Sequence, residues 1–337
     1  MLQRARLRRW GTAVATAAAF AFPVVARAHE RWFVGGAVGE TPAFFRSFGW
    51  HIPIAIVAAL LVLVAARIVD GWLRRLQFGR GASVSLARTA PFVPLAVGLA
   101  TAVVLAVSAL GRTLLAPHLA LPDTSSGTAL VIAQLVIAAL LVLGLFARVA
   151  AGGLIVLVVW SFALHGVPAV ENLFFLGVGF FLFVWGRGRL ALGAVFSRIV
   201  FAMDTAHMKP VALSVLRIVT GLALLWGGID KLWHPELHLA LIAAHAAWNP
   251  LVILRSTIWP ALSENLYLFM IAAVEIVIAC LLLTGWLLRP LAAFLALLFC
   301  VSAIFLPVSD LTGHLPYIAV FLGFVLIGKS VERSDRL

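Results

Sequence analysis

The chain has 337 residues, 64% of them hydrophobic and only 11% charged, and carries a net charge of +12 at pH 7. A soluble domain has roughly 45–50% apolar and about 25% charged residues, so a water-facing fold with one core is excluded, and repeated apolar runs near the ~20 residues needed to cross a bilayer predict an all-α, polytopic membrane protein. The cations cluster at the ends of those runs, where they orient spans, and no nucleic-acid partner is expected from them.

In chain order, residues 1–28 open with Arg4, Arg6, Arg8 and Arg9, continue through an apolar stretch and end Ala26-Arg27-Ala28. That is the pattern of a cleaved secretion signal, which leaves His29 at the mature N-terminus. Residues 29–50 read as an extracytoplasmic lead-in, and 51–90 as a lead-in transmembrane helix with a basic cytoplasmic loop. A first four-helix unit follows at 91–190, a cytoplasmic linker at 191–211, a second four-helix unit at 212–330 and a cytoplasmic tail at 331–337. The predicted spans, about nine after signal removal, are 51–69, 91–110, 129–147, 149–165, 172–186, 212–229, 266–287, 290–307 and 315–328. The apolar segment 235–258 contains Pro235, His238, His245, Asn249, Pro250 and Arg255, and reads as an interfacial or re-entrant piece.

Orientation follows from the charges. Of the twenty Lys and Arg beyond the signal, fifteen fall on the side opposite the mature N-terminus. The N-terminus is therefore expected outside and the C-terminus in the cytoplasm, in a bacterial-type plasma (inner) membrane.

Gln134 to Leu154 aligns without gaps to Glu275 to Leu295, with nine of twenty-one positions identical. The match pairs Gly144 with Gly285 and Arg148 with Arg289, and Gly186 meets Gly328 after one inserted residue. Two tandem units of the same orientation, one after the lead-in helix and one after the linker, are the predicted architecture.

The second unit contains Leu216-Arg217-Ile218-Val219-Thr220-Gly221, then Gly228-Ile229-Asp230-Lys231-Leu232, then Glu275 through Gly285 and Arg289. In these segments it resembles the DoxX/DoxD family of small four-helix membrane proteins, over about the last 120 residues; the first unit is a weaker match. The family includes a subunit associated with thiosulfate:quinone oxidoreductase. The resemblance therefore implies a membrane subunit or accessory protein of a quinone-linked or other electron-transfer process, with a membrane or extracytoplasmic protein partner. The first unit departs from the pattern, with Gln134 where the second has Glu275.

Glu275 sits roughly 14 Å into its span, where an unpaired carboxylate costs several kcal/mol. It must be paired, protonated or turned to a cavity. Lys231, Asp230 and Arg217 are the expected partners in a proton or quinone site. A second reading uses His234, His238 and His245, at i, i+4 and i+11 and so on one helical face, to bind copper or zinc. Asp310, His314 or Glu171 would complete the set, and His29 with its free amine is a separate copper chelate. His234-Pro235-Glu236-Leu237-His238 lacks the glutamate of a zinc-hydrolase motif. A third reading is a structural or assembly factor for a membrane partner. Cys280 and Cys300 stand alone in apolar runs and are read as packing residues. Neither a phosphate-binding glycine loop nor a dinucleotide fingerprint is present in the sequence.

Overall fold

A computed structural model describes residues 51–75, 88–186, 205–244, 250–305 and 308–328. The signal 1–28, the lead-in 29–50, linker residues 191–204 and the tail lie outside the described residues, as do His29 and His245.

Every named element among the described residues is helical: α1 (His51–Arg75), α2 (Val93–Leu110), α3 (Ser125–Leu143), α4 (Ala147–His165), α5 (Leu173–Trp185), α6 (Lys209–Trp233), α7 (Pro235–Ala244), α8 (Pro250–Thr257), α9 (Glu264–Thr284), α10 (Leu288–Phe305) and α11 (Val308–Ile327), with short 3₁₀ turns at Ala90–Phe92, Val167–Asn172 and Ala206–Met208. Seven helical segments are long and apolar enough to cross a bilayer, and Leu288–Ser302 and Leu311–Ile327 are shorter apolar helices. By helix length and hydropathy the chain is a multi-pass membrane protein. Helices α7 and α8, of 10 and 8 residues, are too short to cross.

Local chemistry sets the helix ends. Thr124 accepts a hydrogen bond from the Gly127 amide at 3.3 Å and starts α3 four residues before the predicted span, while Ser263 does the same for Leu266 at 3.2 Å in α9. Gly144 and Gly285 end these two helices in the left-handed conformation, at φ 68° and 69°. Two residues later Phe146 and Leu287 also have positive φ, 46° and 51°. Matching corners of this kind, with Gly186 and Gly328 again at positive φ, give the sequence repeat a backbone counterpart.

Helices α2, α3, α4, α5, α6 and α9 pack in succession, α10 packs on α11 and α11 returns to α2, so the eight form a ring in which only α9 and α10 are in slight contact. The last helix of each predicted unit thus meets the first helix of the other. Helix α1 stays outside the ring against α9. Asp70 Oδ1 accepts the Leu287 amide at 3.1 Å and the Arg67 guanidinium stands 5.2 Å from the Trp286 ring centroid, so α1 is fastened near the corner that follows α9.

Helices α6 and α9 approach closely because glycine faces them at two levels. A methyl group added at Gly221 would stand 3.2 Å from the Ala279 carbonyl oxygen, and one at Gly228 3.1 Å from that of Ala272. Gly228 and Ala272 are each three residues before a charged residue, Lys231 and Glu275, so this contact brings the two charges together.

Candidate functional site

Lys231 lies in the last turn of α6 and Glu275 in the middle of α9. Their side chains meet at 2.8 Å with relative exposures of 1% and 3%, an ion pair sealed inside the protein. Lys231 Nζ also reaches the Gly227 carbonyl at 3.4 Å. In apolar surroundings each charge is expensive alone and tolerable only with the other. The expected link between Glu275 and Lys231 is therefore formed.

Asp230 is the neighbour of Lys231 in sequence but serves a different group. Successive helical residues point about 100° apart, so Asp230 turns away from Glu275. Its Oδ1 lies 2.8 Å from His234 Nδ1 and its Oδ2 lies 3.2 Å from His238 Nε2. His234 and His238 do not share one helical face, as their spacing suggested. His234 closes α6 at φ −126° and ψ 59°, and Pro235 opens α7. The residue before proline is forced out of helical geometry, so the two imidazoles come from different elements and converge on one carboxylate. His238 is buried, at 2% exposure.

Arg217 is not part of this group. Fourteen residues before Lys231 on one helix places it roughly 21 Å away. Its guanidinium instead donates to the Leu282 and Leu283 carbonyls at the end of α9, the latter at 2.6 Å, where a cation satisfies carbonyls that the helix leaves open. Arg289 serves Ile327 at the end of α11 in the same way, at 3.4 Å.

Next to α6 in the ring, Glu171 and Asn172 end the 3₁₀ turn before α5, and both are buried. Asn172 Nδ2 donates to Ser161 Oγ at 3.2 Å. Its Oδ1 takes no hydrogen bond among the described residues. Three residues after Glu171, Phe174 stacks on Tyr317 of α11 with centroids 3.8 Å apart, and Phe299 packs against both Tyr317 and His314. Tyr317 is buried, at 3% exposure.

The first unit uses the position equivalent to Glu275 for another purpose. Gln134 Nε2 donates to the Thr113 carbonyl at 2.9 Å and its Oε1 accepts the Leu115 amide at 3.0 Å. It ties down the connection after α2. Arg112, just after α2, pairs with exposed Asp123 at 3.0 Å. The departure seen in the sequence is therefore a difference of role: one amide secures a loop, and one carboxylate holds an ion pair.

Among the described residues no three His, Cys, Asp or Glu side chains are grouped so as to hold a metal ion. Asp310 lies at the start of α11 and His314 one turn on, buried against Phe299. Sequence reasoning named Glu171 as a metal ligand and passed over Tyr317. The available signal was that Tyr317 is one of two tyrosines in the chain, three residues after a histidine already singled out.

The arrangement defines a class, a multi-pass helical membrane protein with a buried, ionisable pair between two of its helices. No protein-family model, no curated protein and no solved structure matches the chain.

Proposed function

We propose that the protein is a DoxX-like integral membrane subunit or accessory protein of a quinone-linked electron-transfer process, with about nine spans in two tandem four-helix units after a lead-in helix. The reading is supported by the resemblance in the second unit and by one structural observation, the enclosed Lys231–Glu275 pair at 2.8 Å. Intramembrane ionisable groups mark proton, ion or ligand sites more often than they mark stabilising contacts.

In the proposed orientation the ends of α6 and α7 face outward and the corners bearing Arg148, Arg217 and Arg289 face the cytoplasm of a bacterial-type cell, in keeping with the bias of positive charge. The site then lies in the outer half of the bilayer, and an extracytoplasmic or membrane partner supplies the electrons.

The residues suit a quinone headgroup. Lys231 Nζ is a buried donor for a ring carbonyl, and Asn172 Oδ1 is a buried acceptor. A bound quinone would supply the redox chemistry, taking up electrons and protons together. This chain's part is to hold the headgroup through Lys231 and to hold a proton at Glu275. Asp230 separately holds His234 and His238 at the outer end of the same helix, where His234 retains 16% side-chain exposure.

The test is equilibrium binding of a short-chain ubiquinone analogue to the detergent-purified protein, followed by quenching of tryptophan fluorescence. Saturable binding that weakens at least about tenfold, or ~1.4 kcal/mol, in Lys231→Met is the expected result. Absence of saturable binding, or equal affinity in the variant, refutes the quinone reading.

A further inference from the structure

The two units share a backbone corner but not the packing beyond it. Helix α3 ends at Leu143 and α4 begins at Ala147, and α9 and α10 do so at the equivalent Thr284 and Leu288. From there α3 and α4 stay packed together, whereas α9 and α10 touch only slightly among the described residues. One pair of equivalent positions accounts for the difference. Gly153 of α4 lies so close to α3 that a methyl group added there would stand 2.9 Å from Ile137 Cδ1. In the repeat Gly153 becomes Phe294 and Ile137 becomes Ile278, equally far from the corner. A benzyl group does not fit where a methyl is already crowded, so α10 stands off from α9 and side chains occupy the seam. Ile278 is buried, at 6% exposure, and Phe294 is half-buried.

This seam adjoins the ion pair. Residues three apart on a helix are neighbours on one side of it, so Ile278 lies one turn from Glu275, whose carboxylate meets Lys231 at 2.8 Å. On the outward side, Ala293 and Leu297, before and after Phe294 along α10, are exposed. Helix α1 packs on α9 without a comparable contact to α10, so it does not bridge the seam. Helices held backbone to backbone part only by collective motion, while a seam of side chains opens by rotamer changes, which are faster. We propose that the α9–α10 seam admits the ligand of the Lys231–Glu275 site from the bilayer and holds its apolar tail. The ligand class is then a lipid-dissolved molecule with a polar head and an apolar tail, not a solute of the aqueous phase. The inference rests on the quinone reading for the head and adds to it the tail and the route.

The test uses the purified wild-type protein and a short-chain ubiquinone analogue that carries a diazirine at the end of its tail. After illumination, label that unlabelled analogue displaces is expected on α10 around Phe294 and on α9 around Ile278, read by peptide mass spectrometry. Saturable binding that depends on Lys231, with displaceable label absent from α10, overturns the seam and leaves the quinone reading standing. Failure of the analogue to bind at all removes that reading and the inference built on it. A second measurement follows the rates of binding by tryptophan quenching in stopped flow. Phe294→Ala takes the ring out of the seam and is expected to raise association and dissociation rates together, by at least about threefold, while Ile137→Ala at the closely packed seam of the first unit changes neither. Unchanged rates in Phe294→Ala, or an equal acceleration in Ile137→Ala, overturn the proposal. The labelling needs no variant, so it decides the matter even if Phe294→Ala fails to fold.

Discussion

Replacing Lys231 by methionine keeps the length and the apolar stem of the side chain but leaves Glu275, at 3% exposure, without its cation at 2.8 Å. Breaking a buried pair from one side costs about 3–5 kcal/mol. The carboxyl has an escape, because it can take up a proton, and at pH 7 that costs an ordinary glutamate about 3.7 kcal/mol. Protonation therefore caps the loss near the lower part of that range. Interhelical polar contacts in membranes average nearer ~0.6 kcal/mol, but those are neutral hydrogen bonds whose partners are replaceable in the unfolded state. A charge enclosed at this depth is not. The expected loss is about 3 kcal/mol, read from equilibrium unfolding of the reconstituted protein. If folding of the variant takes up a proton, its stability must fall by about 1.4 kcal/mol for each unit of rising pH above the glutamate range. The companion variant Lys231→Met/Glu275→Gln removes both charges and should recover most of the loss. A single variant as stable as wild type, or a double variant no better than the single one, would refute the ion-pair argument.

Gln134→Leu deprives the Thr113 carbonyl and the Leu115 amide of their buried partners and should cost about 2–4 kcal/mol, with hydrogen exchange accelerated at residues 113–119 and quinone-analogue affinity unchanged. Asp230→Asn weakens the anchor of both His234 and His238, so amide exchange across α7 should rise at least about tenfold while α9 remains protected. Gly228→Val places methyl groups against the Ala272 carbonyl, where even one would stand at 3.1 Å, and should destabilise by about 1–3 kcal/mol and weaken the Lys231–Glu275 contact, visible as weaker quinone-analogue binding. Arg217→Met should cost about 1–3 kcal/mol through the freed Leu282 and Leu283 carbonyls and leave quinone affinity intact, since this cation caps a helix and does not serve the site.

Those variants also mark what could be read from residues alone. The corner glycines were legible because a left-handed residue at a helix end favours glycine, and Gly144 with Gly285 sits at matching offsets before a matching arginine. The Glu275–Lys231 link was legible because an intramembrane carboxylate requires a cation within reach. The fate of Arg217 was less so. Belonging to the same helix as Lys231 says nothing of depth until the helix is known to run unbroken from Lys209 to Trp233. The histidine face failed for the opposite reason, since the helix does break, at His234, and a spacing rule assumes continuity. Glu171 and Tyr317 lie 146 positions apart in sequence, and only the closure of α11 onto α2 and of α5 onto α6 makes them neighbours. Ring closure of that kind leaves no local trace in an apolar pattern.

The two units together also argue against a purely structural reading of the ion pair. A buried ion pair is weak support for stability, and apolar or neutral polar replacements of similar volume often do as well. The protein contains its own comparison: at the position equivalent to Glu275, Gln134 joins a helix to a loop with two ordinary hydrogen bonds and no charge to bury. An amide would have sufficed in the second unit had linkage been the only requirement. What glutamate and lysine provide beyond an amide is a charge that a proton or a ligand oxygen can neutralise. Lys231→Met/Glu275→Gln brings the second unit to the uncharged state of the first at this position, and is expected to fold with near wild-type stability while losing quinone-analogue binding. Retention of that binding by the folded variant would make the pair a structural feature.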